Sequence, residues 1–211
     1  MKALIHPTYF PSIAHWVVIA HHQEKLVMEA QDNYQKQTYR NRAHIYSPNG
    51  KQLLTVPIVH TKTTGHQKYR QVTIEDSFDW KKQHWKSIET AYRTSPYFEF
   101  YEDELAPFFK KEHHSLFQMN LESMEIIAQC MQLEPFTYEF TDEFLLTDQT
   151  KLDMRSLVKA KTKQEYCFDS YVQVFDDKHG FISNLSILDL LFNQGPNTHN
   201  YLLNMTLNQI A

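Results

Sequence analysis

A histidine in a proline-bounded loop near the amino terminus is the first residue whose type and position suggest chemistry. His6 follows the short apolar run ALI, which we interpret as a buried strand at residues 2–5, and Pro7 and Pro11 restrict the loop after it. α/β folds place ligand-binding groups just beyond the ends of strands. A neutral imidazole can take up a proton near pH 7, so we predict that His6 is a catalytic general base. The structural alternative is a histidine that hydrogen-bonds the loop backbone.

Cationic and aromatic side chains alternate in YQKQTYRNRAHIY, residues 34–46. If this segment is a strand, Arg40 and Arg42 share one face, while Tyr39 and Asn41 lie on the other. Guanidinium groups bind phosphates and carboxylates through paired hydrogen bonds. We therefore predict that Arg40, Asn41 and Arg42 bind an anionic substrate. The alternative is a solvated, charged strand edge that limits aggregation.

The segment DWKKQHWKSIETAYRTSPYF, residues 79–98, has the periodicity of an amphipathic helix. Trp80, His84 and Ile88 are spaced i, i+4, i+8 and so lie on one face. A face of this kind usually packs in a core. His84 is nevertheless a candidate substrate-binding residue, because a buried ring nitrogen needs a hydrogen-bond partner, either a backbone carbonyl or a ligand.

Several common types of site are excluded by the motifs that the chain lacks. With only four glycines, the sequence contains neither GxGxxG nor GxxxxGK, and it also lacks HExxH, HxH, CxxC and GxSxG. We therefore predict no cofactor and no metal. Cys130 and Cys167 are the only cysteines, and we predict that they are reduced and not bonded to each other.

Composition limits the partners that we expect. The formal net charge is -4 and the pI is about 6.3, which does not favour a nucleic-acid partner. No run approaches the roughly 20 apolar residues of a membrane span, and the amino terminus has no apolar signal region, so we predict no membrane insertion and a cytoplasmic location. The expected partner is a small molecule that carries a phosphate or a carboxylate.

Strands and helices that alternate along the chain predict an α/β fold: a single mixed-sheet domain, residues 1–211, with flanking helices and a β-hairpin. The hairpin covers residues 42–59 and turns at Pro48–Gly50, because Asn-Gly between β-rich runs favours a tight turn. Other predicted strands lie at 25–30, 71–75 and 171–175. Predicted helices lie at 13–22 with Ser12 as cap, at 79–94, at 115–133, and after Ser186. The pattern from 134 to 169 is weak.

Four blocks of the sequence, taken in order, resemble the WbqC-like family. They are IHPTYFPSIAHW, QKQTYRNRAHIYSPNGKQLLTVPI, DWKKQHWKSIETAYRTSPYF and YVQVFDDKHGFISNLSILDLLFNQGPNT, and they extend from His6 to Thr198. The first block departs from the family pattern HQPxYxPWxGY: one residue is lost after His6, and Ser12 and Ala14 replace tryptophan and glycine. Residues 134–165 carry no part of the resemblance.

The resemblance implies a role in the assembly of bacterial O-antigen or other surface polysaccharide, with glycine transfer as a suggested reaction. The matching blocks contain all of the candidate site residues: His6, Arg40, Asn41, Arg42, His84 and Asn184. Asn184 precedes a predicted helix, where it could cap the helix or meet an anion at its amino terminus.

Two hypotheses follow from these residues. In the first, the protein is a transferase that acts on an activated acyl or nucleotide-linked sugar substrate, with His6 as base and the arginines as anion ligands. In the second, it is a non-catalytic module that binds an anionic metabolite, a nucleotide or a biosynthetic partner. A nucleotidyltransferase-type fold is a third reading, against which the absence of HxGH spacing counts. We predict that His6, Arg40 and Arg42 line one cleft, with Asn184 or His84 adding a polar group.

Overall fold

A computed structural model describes residues 1–59, 67–133, 136–161 and 166–207. Its strands are β1 (Ala3–Ile5), β2 (Leu26–Met28), β3 (Arg42–Ser47), β4 (Gly50–Thr55), β5 (Tyr138–Phe140) and β6 (Leu152–Asp153). Its α-helices are α1 (Ile13–His22), α2 (Trp80–Tyr92), α3 (Phe98–Lys110), α4 (Leu116–Cys130), α5 (Asp176–His179), α6 (Ile187–Gln194) and α7 (Thr198–Asn204). Short 3-10 helices cover Tyr69–Gln71, Arg155–Val158 and Gly195–Asn197. The predicted mixed α/β class is confirmed.

A small parallel sheet organises the site. Its strand order is β5-β2-β1-β6, and every neighbouring pair is parallel. Side chains alternate across it: Ala3 and Ile5 join the main hydrophobic core, whereas Leu4 is buried on the other face. Because all four strands run the same way, their carboxyl ends meet at one edge, and the residues that follow them are brought together.

The β3–β4 hairpin forms at the predicted position. Ser47 pairs with Gly50, and Ile45 faces Gln52. Gly50 has φ +89°, a conformation that suits glycine and explains the tight turn. The prediction of antiparallel neighbours joined through Pro48–Gly50 is therefore confirmed for residues 42–55. The predicted hairpin extended to residue 59, and the paired strands end at Thr55.

Two of the α-helices, α4 and α6, begin directly after a serine whose side chain caps them, and α1 covers the predicted residues. Ser115 and Ser186 each accept a backbone N–H of the helix that they open, at 3.4 Å in both cases. Ser12 precedes α1 but makes no such bond. Its predicted capping role is wrong, because Asn184, from the distant loop before α6, accepts the Ala14 N–H at 2.9 Å instead.

Two predicted strands do not form. Residues 71–75 make only isolated bridges, which pair Thr73 with Ser115 and Ile74 with Ile58. Residues 171–175 alternate in burial as a strand would, with Val172 exposed between Tyr171 and Gln173. They nevertheless pair with no strand in the part of the chain that the structure describes. Alternation indicates an extended chain, but a strand also needs a partner for its backbone groups.

The extended segment at 171–175 is attached instead to a buried carboxylate. Asp189, on α6, accepts hydrogen bonds from the Tyr92 hydroxyl at 2.9 Å and from the Tyr171 hydroxyl at 2.6 Å. The Gln173 side-chain amide donates a third, at 2.8 Å. Burial raises the pKa of Asp189 to about 6, although its donors favour the ionised form.

Three further expectations can be compared with the described residues. Cys130 and Cys167 form no disulfide, as predicted. None of the helices described here has the length and apolarity needed to cross a membrane. Within the same residues, no group of three or more His, Cys, Asp or Glu side chains is placed to hold a metal ion.

Candidate functional site

A cavity of about 340 Å³ opens at the carboxyl edge of the parallel sheet. His6 comes directly after β1, and Asp32 and Arg40 lie in the segment between β2 and β3. The opposite wall is built from residues in the range 144–159, around the end of β6. The cavity thus lies where open α/β sheets usually bind ligands, and we call it the strand-end pocket.

His6, Arg40 and Asp32 form a buried charged cluster in this pocket. Arg40 Nη2 lies 3.0 Å from His6 Nε2 and 3.4 Å from His6 Nδ1. The same nitrogen donates to Asp32 Oδ2 at 2.5 Å. The separation of His6 Nε2 and Asp32 Oδ2 is 3.4 Å. One guanidinium nitrogen therefore connects the imidazole to the carboxylate.

The charge state of His6 follows from its surroundings. Burial lowers the pKa of His6 well below 6.5, and the positive charges of Arg40 and Arg155 lower it further. The ring is therefore neutral at pH 7. Because a guanidinium group can only donate, the nearer nitrogen, Nε2, accepts from Arg40, which places the ring proton on Nδ1.

Arg40 has unused hydrogen-bonding capacity. Its side chain is fully buried, and within the described residues its Nε and Nη1 atoms have no hydrogen-bond partner. Its guanidinium carbon lies 5.2 Å from the centre of the Tyr69 ring. Burial lowers the pKa of Arg40, while Tyr69 and Asp32 act in the opposite direction. A buried cation with unpaired donors is a suitable place for an anion.

A second layer holds this cluster in position. The Asn120 side-chain amide, on α4, donates to the Arg40 carbonyl at 2.6 Å and to the Tyr69 hydroxyl at 2.5 Å. The Tyr69 hydroxyl in turn donates to the Pro7 carbonyl at 2.8 Å. The proline loop after His6 and the turn that contains Arg40 are thus fixed to the same helix.

Arg155 forms a second, largely neutralised cation at the pocket wall. It donates to Glu29 Oε2 at 3.1 Å and to Asp153 Oδ2 at 2.5 Å. It also donates to the backbone carbonyls of Leu145 at 2.8 Å and Leu146 at 3.2 Å. Arg155 therefore ties the ends of β2 and β6 to the segment at 145–146, and its charge is already paired.

The remaining lining is mixed in character. Lys159 is an exposed cation on the pocket wall, and it makes no ion pair with the described residues. Gln35 and Ser156 add polar groups, whereas Phe144 and Leu146 add an apolar side. The pocket lining is therefore cationic and polar in one part and apolar in another.

Of the residues predicted from the sequence, the pocket brings together His6 and Arg40. Arg42 does not line it, because Arg40 lies in a turn and β3 begins only at Arg42. The expectation that the two arginines share one face of a strand is wrong for this reason. The Asn41 amide donates to the Val56 carbonyl at 2.9 Å and joins the turn to the chain after β4.

His84 and Asn184 also lie outside the pocket lining. The His84 ring contacts the Tyr9 hydroxyl at 2.9 Å within the core, and burial lowers the pKa of His84 to about 4. Asn184 has φ +53° and is engaged at the start of α1. Both residues make contacts within the protein. His84 lies in the core, which is the usual place for such a helix face, and its ring contacts a tyrosine hydroxyl.

Four charged residues of the site were not predicted from the sequence: Asp32, Glu29, Asp153 and Arg155. Glu29 directly follows β2, and an acidic residue after an apolar run was a usable signal in KLVMEAQD, residues 25–32. Asp153 and Arg155 offered less, because β6 has two residues and lies where the sequence pattern is weak. Nothing in the sequence alone pairs Asp32 with Arg40.

The fold and the pocket define an α/β protein with a ligand-sized site at the carboxyl ends of a parallel sheet. The model of the WbqC-like protein family matches residues 6–168, and the chain belongs to that family. It is also 30% identical over 226 aligned residues to "Uncharacterized protein Rv1507c" from Mycobacterium tuberculosis (strain ATCC 25618 / H37Rv), an alignment that covers 95% of this chain and 96% of that protein. No solved structure matches the chain significantly.

Proposed function

We propose that this protein binds a small molecule bearing a phosphate or carboxylate in the strand-end pocket and transfers an acyl or sugar group there. The observation that carries the proposal is Arg40, which is fully buried at the pocket with two of its three guanidinium nitrogens unpaired in the described part of the chain. Burying a guanidinium group is unfavourable unless its donors are satisfied, so an anionic ligand would complete the site.

Asp32 makes the site selective as well as stable. In the free protein it neutralises Arg40 through a single 2.5 Å contact. An incoming anion has to compete with this carboxylate, and a weakly basic or poorly fitting anion would fail to do so. Lys159, on the pocket wall, supplies a second positive charge for the ligand.

His6 is the group that would take part in the reaction. Its Nε2 lone pair is held by Arg40 in the free protein. An anion that draws the Arg40 guanidinium away from His6 would free the Nε2 lone pair. Burial would still lower the pKa of His6, but the anion would offset the further lowering by the charge of Arg40, and the imidazole would become more basic. His6 would then remove the proton from an attacking amine or hydroxyl as that atom bonds to the transferred group and the leaving group departs.

The nature of the transferred group comes from the family resemblance. Transfer of glycine or another acyl group to a sugar of a bacterial surface polysaccharide would consume the carboxyl of that group in the new bond. The anion at Arg40 would then be a phosphate or a second carboxylate of the donor or acceptor, and the attacking amine or hydroxyl would need a base. The pocket sets a size limit for the bound portion, since about 340 Å³ accommodates a small metabolite rather than an oligosaccharide.

A non-catalytic binding role is the second candidate, and one observation favours it. The closest ring nitrogen of His6 is already occupied by Arg40, and the low pKa makes His6 a weak base in the free protein. His6→Gln separates the two roles, because it should abolish turnover and retain ligand binding in an enzyme. In a binding module, wild-type protein would bind the ligand and show no turnover.

Binding is tested by a thermal-shift screen followed by calorimetry, with inorganic phosphate, amino acids, short carboxylates and nucleotide sugars as probes. Arg40→Lys keeps the charge but loses the planar fork, and we expect at least about tenfold weaker binding. Arg93→Ala is the matched control, since Arg93 pairs with Glu102 on the surface and does not line the pocket. Equal binding by wild type and a folded Arg40→Lys variant would refute the proposal.

The proposed increase in the basicity of His6 on anion binding can be measured directly. NMR titration of the His6 ring, with and without a bound anion, should show a higher pKa in the complex. The buried histidine His84, which contacts Tyr9 and not Arg40, is an internal control that should not move. A pKa of His6 that stays constant on ligand binding would contradict the proposed link between Arg40 and the imidazole.

A further inference from the structure

Three consecutive large apolar side chains are exposed beside the strand-end pocket. Phe144, Leu145 and Leu146 are 42%, 44% and 86% exposed. Single exposed apolar residues are common on proteins, but adjacent ones are usually functional or unfavourable. We call these three residues the apolar strip.

The strip is held in place by hydrogen bonds to its backbone. Arg155 donates to the carbonyls of both Leu145 and Leu146 and is itself bound to Glu29 and Asp153 at the strand ends. The Phe144 ring lies over the same guanidinium group, 5.2 Å from its carbon. The protein thus uses a nearly buried arginine to keep exposed apolar side chains at a fixed position beside the pocket.

The strip is continuous with the anion-binding side of the pocket. Phe144 and Leu146 line the same cavity as Arg40 and Lys159. A molecule whose anionic group reaches Arg40 would extend its remaining atoms past these two side chains towards solvent. This shared lining favours a part of the pocket ligand as the occupant of the strip.

We infer that the ligand is amphiphilic: its phosphate or carboxylate binds at Arg40, and an apolar chain or ring attached to it packs against Phe144 and Leu146. The inference rests on the proposed function and specifies its substrate class. Removing apolar surface from water favours binding, so each methylene group that packs against the strip should strengthen binding by up to about fourfold.

The test uses two series of probes that differ only in chain length. The first runs from inorganic phosphate through ethyl, butyl and hexyl phosphate, and the second from acetate through butanoate to hexanoate. Dissociation constants are measured by calorimetry with wild type, Leu146→Ser and Val172→Ser. Val172 is the matched control, because it is an aliphatic residue that is 76% exposed and does not line the pocket.

We expect affinity to rise with chain length in wild type and in Val172→Ser, and to rise much less in Leu146→Ser. Because Leu146 is mostly exposed, its substitution should leave folding intact, which a thermal melt checks. If all chain lengths bind equally and Arg40→Lys weakens each of them, the inference fails and the proposed anion site stands. If no anion binds in either series, both fail.

Two other results would assign the strip to a different occupant and overturn the inference. One is a chain-length dependence that Leu146→Ser leaves unchanged, since the apolar part would then bind elsewhere. The other is a loss of self-association in Leu146→Ser, seen by analytical ultracentrifugation, with ligand affinities unaltered. In that case the strip would be a contact between protein copies.

Discussion

Replacing Asp32 by asparagine should weaken folding and strengthen anion binding at the same time. The Asp32 carboxylate uses both of its oxygens: Oδ2 accepts from Arg40 at 2.5 Å, and Oδ1 accepts from the Asn33 N–H at 2.7 Å. An amide has one acceptor oxygen, so Asp32→Asn can keep only one of these bonds. If the new amide nitrogen of the Asp32→Asn variant faces Arg40, two hydrogen-bond donors point at each other and neither has an acceptor.

The size of the effect follows from the burial of the pair. The Arg40 side chain is 0% exposed and that of Asp32 is 11% exposed, so solvent does little to replace the lost partner. Removing one member of a buried ion pair costs about 3–5 kcal/mol. In Asp32→Asn, Arg40 would still contact the His6 nitrogen and the Tyr69 ring. We therefore expect a loss of about 3 kcal/mol in the free energy of unfolding, at the lower end of this range. For a chain of this size the melting temperature should fall by roughly 6–12 °C.

The assay is urea unfolding with and without phosphate or a carboxylate probe. Asp32→Asn should be less stable in the absence of ligand and should gain more stability from the anion than wild type does, because the anion no longer competes with Asp32. Glu102→Gln is the control, since its partner Arg93 is a surface residue and the loss should stay below about 1 kcal/mol. An Asp32→Asn variant as stable as wild type would refute the proposed role of the buried pair.

Two other predictions concern the rest of the fold. The pKa of Asp189 is raised to about 6 in the folded state and is near 3.8 when unfolded, so the folded state binds the proton more readily. The contribution of this carboxyl to stability is therefore complete below about pH 4 and is lost as the pH rises through 6. The stability of wild type minus that of Asp189→Asn, from urea unfolding, should fall by roughly 2 kcal/mol between pH 4 and pH 7, and a constant difference would contradict the assignment. In Gly195→Ala, the new Cβ would lie 2.5 Å from the Tyr97 ring at φ +52°, so we expect a loss of about 2–4 kcal/mol by urea unfolding. Gly50→Ala, where the nearest atom is 3.9 Å away, should lose less, and similar losses in the two variants would show that the ring contact is unimportant.

The elements that the sequence predicted well are those with local signals. Pro7 and Pro11 after a short apolar run, and Asn-Gly between β-rich segments, located β1 and the β3–β4 hairpin. Helical periodicity located α1, α2 and α4, because it arises within one segment and needs no partner. His6 was identified from the same kind of information, since its place after a strand is a local property.

Elements that depend on distant partners were missed or misassigned. β5 and β6 have three and two residues, and they exist only because β2 and β1 pair with them. The segment at 171–175 has the alternation of a strand, but its polar groups meet Asp189. Short parallel strands carry little periodicity, and no local pattern states which backbone will lie beside them.

The residues of the site likewise divide into those that local sequence signals predicted and those that only the tertiary structure brought together. The sequence alone determined that His6 ends a strand, that arginines are concentrated near residue 40, and that the chain resembles the WbqC-like family. Only the tertiary structure decided that Arg40 reaches His6 while Arg42 does not, because a turn at 38–41 separates their orientations. It alone also placed Asp32 on Arg40 and brought Arg155 to the pocket wall. Charges separated by many residues interact through space, and the packing of the whole chain fixes their distances.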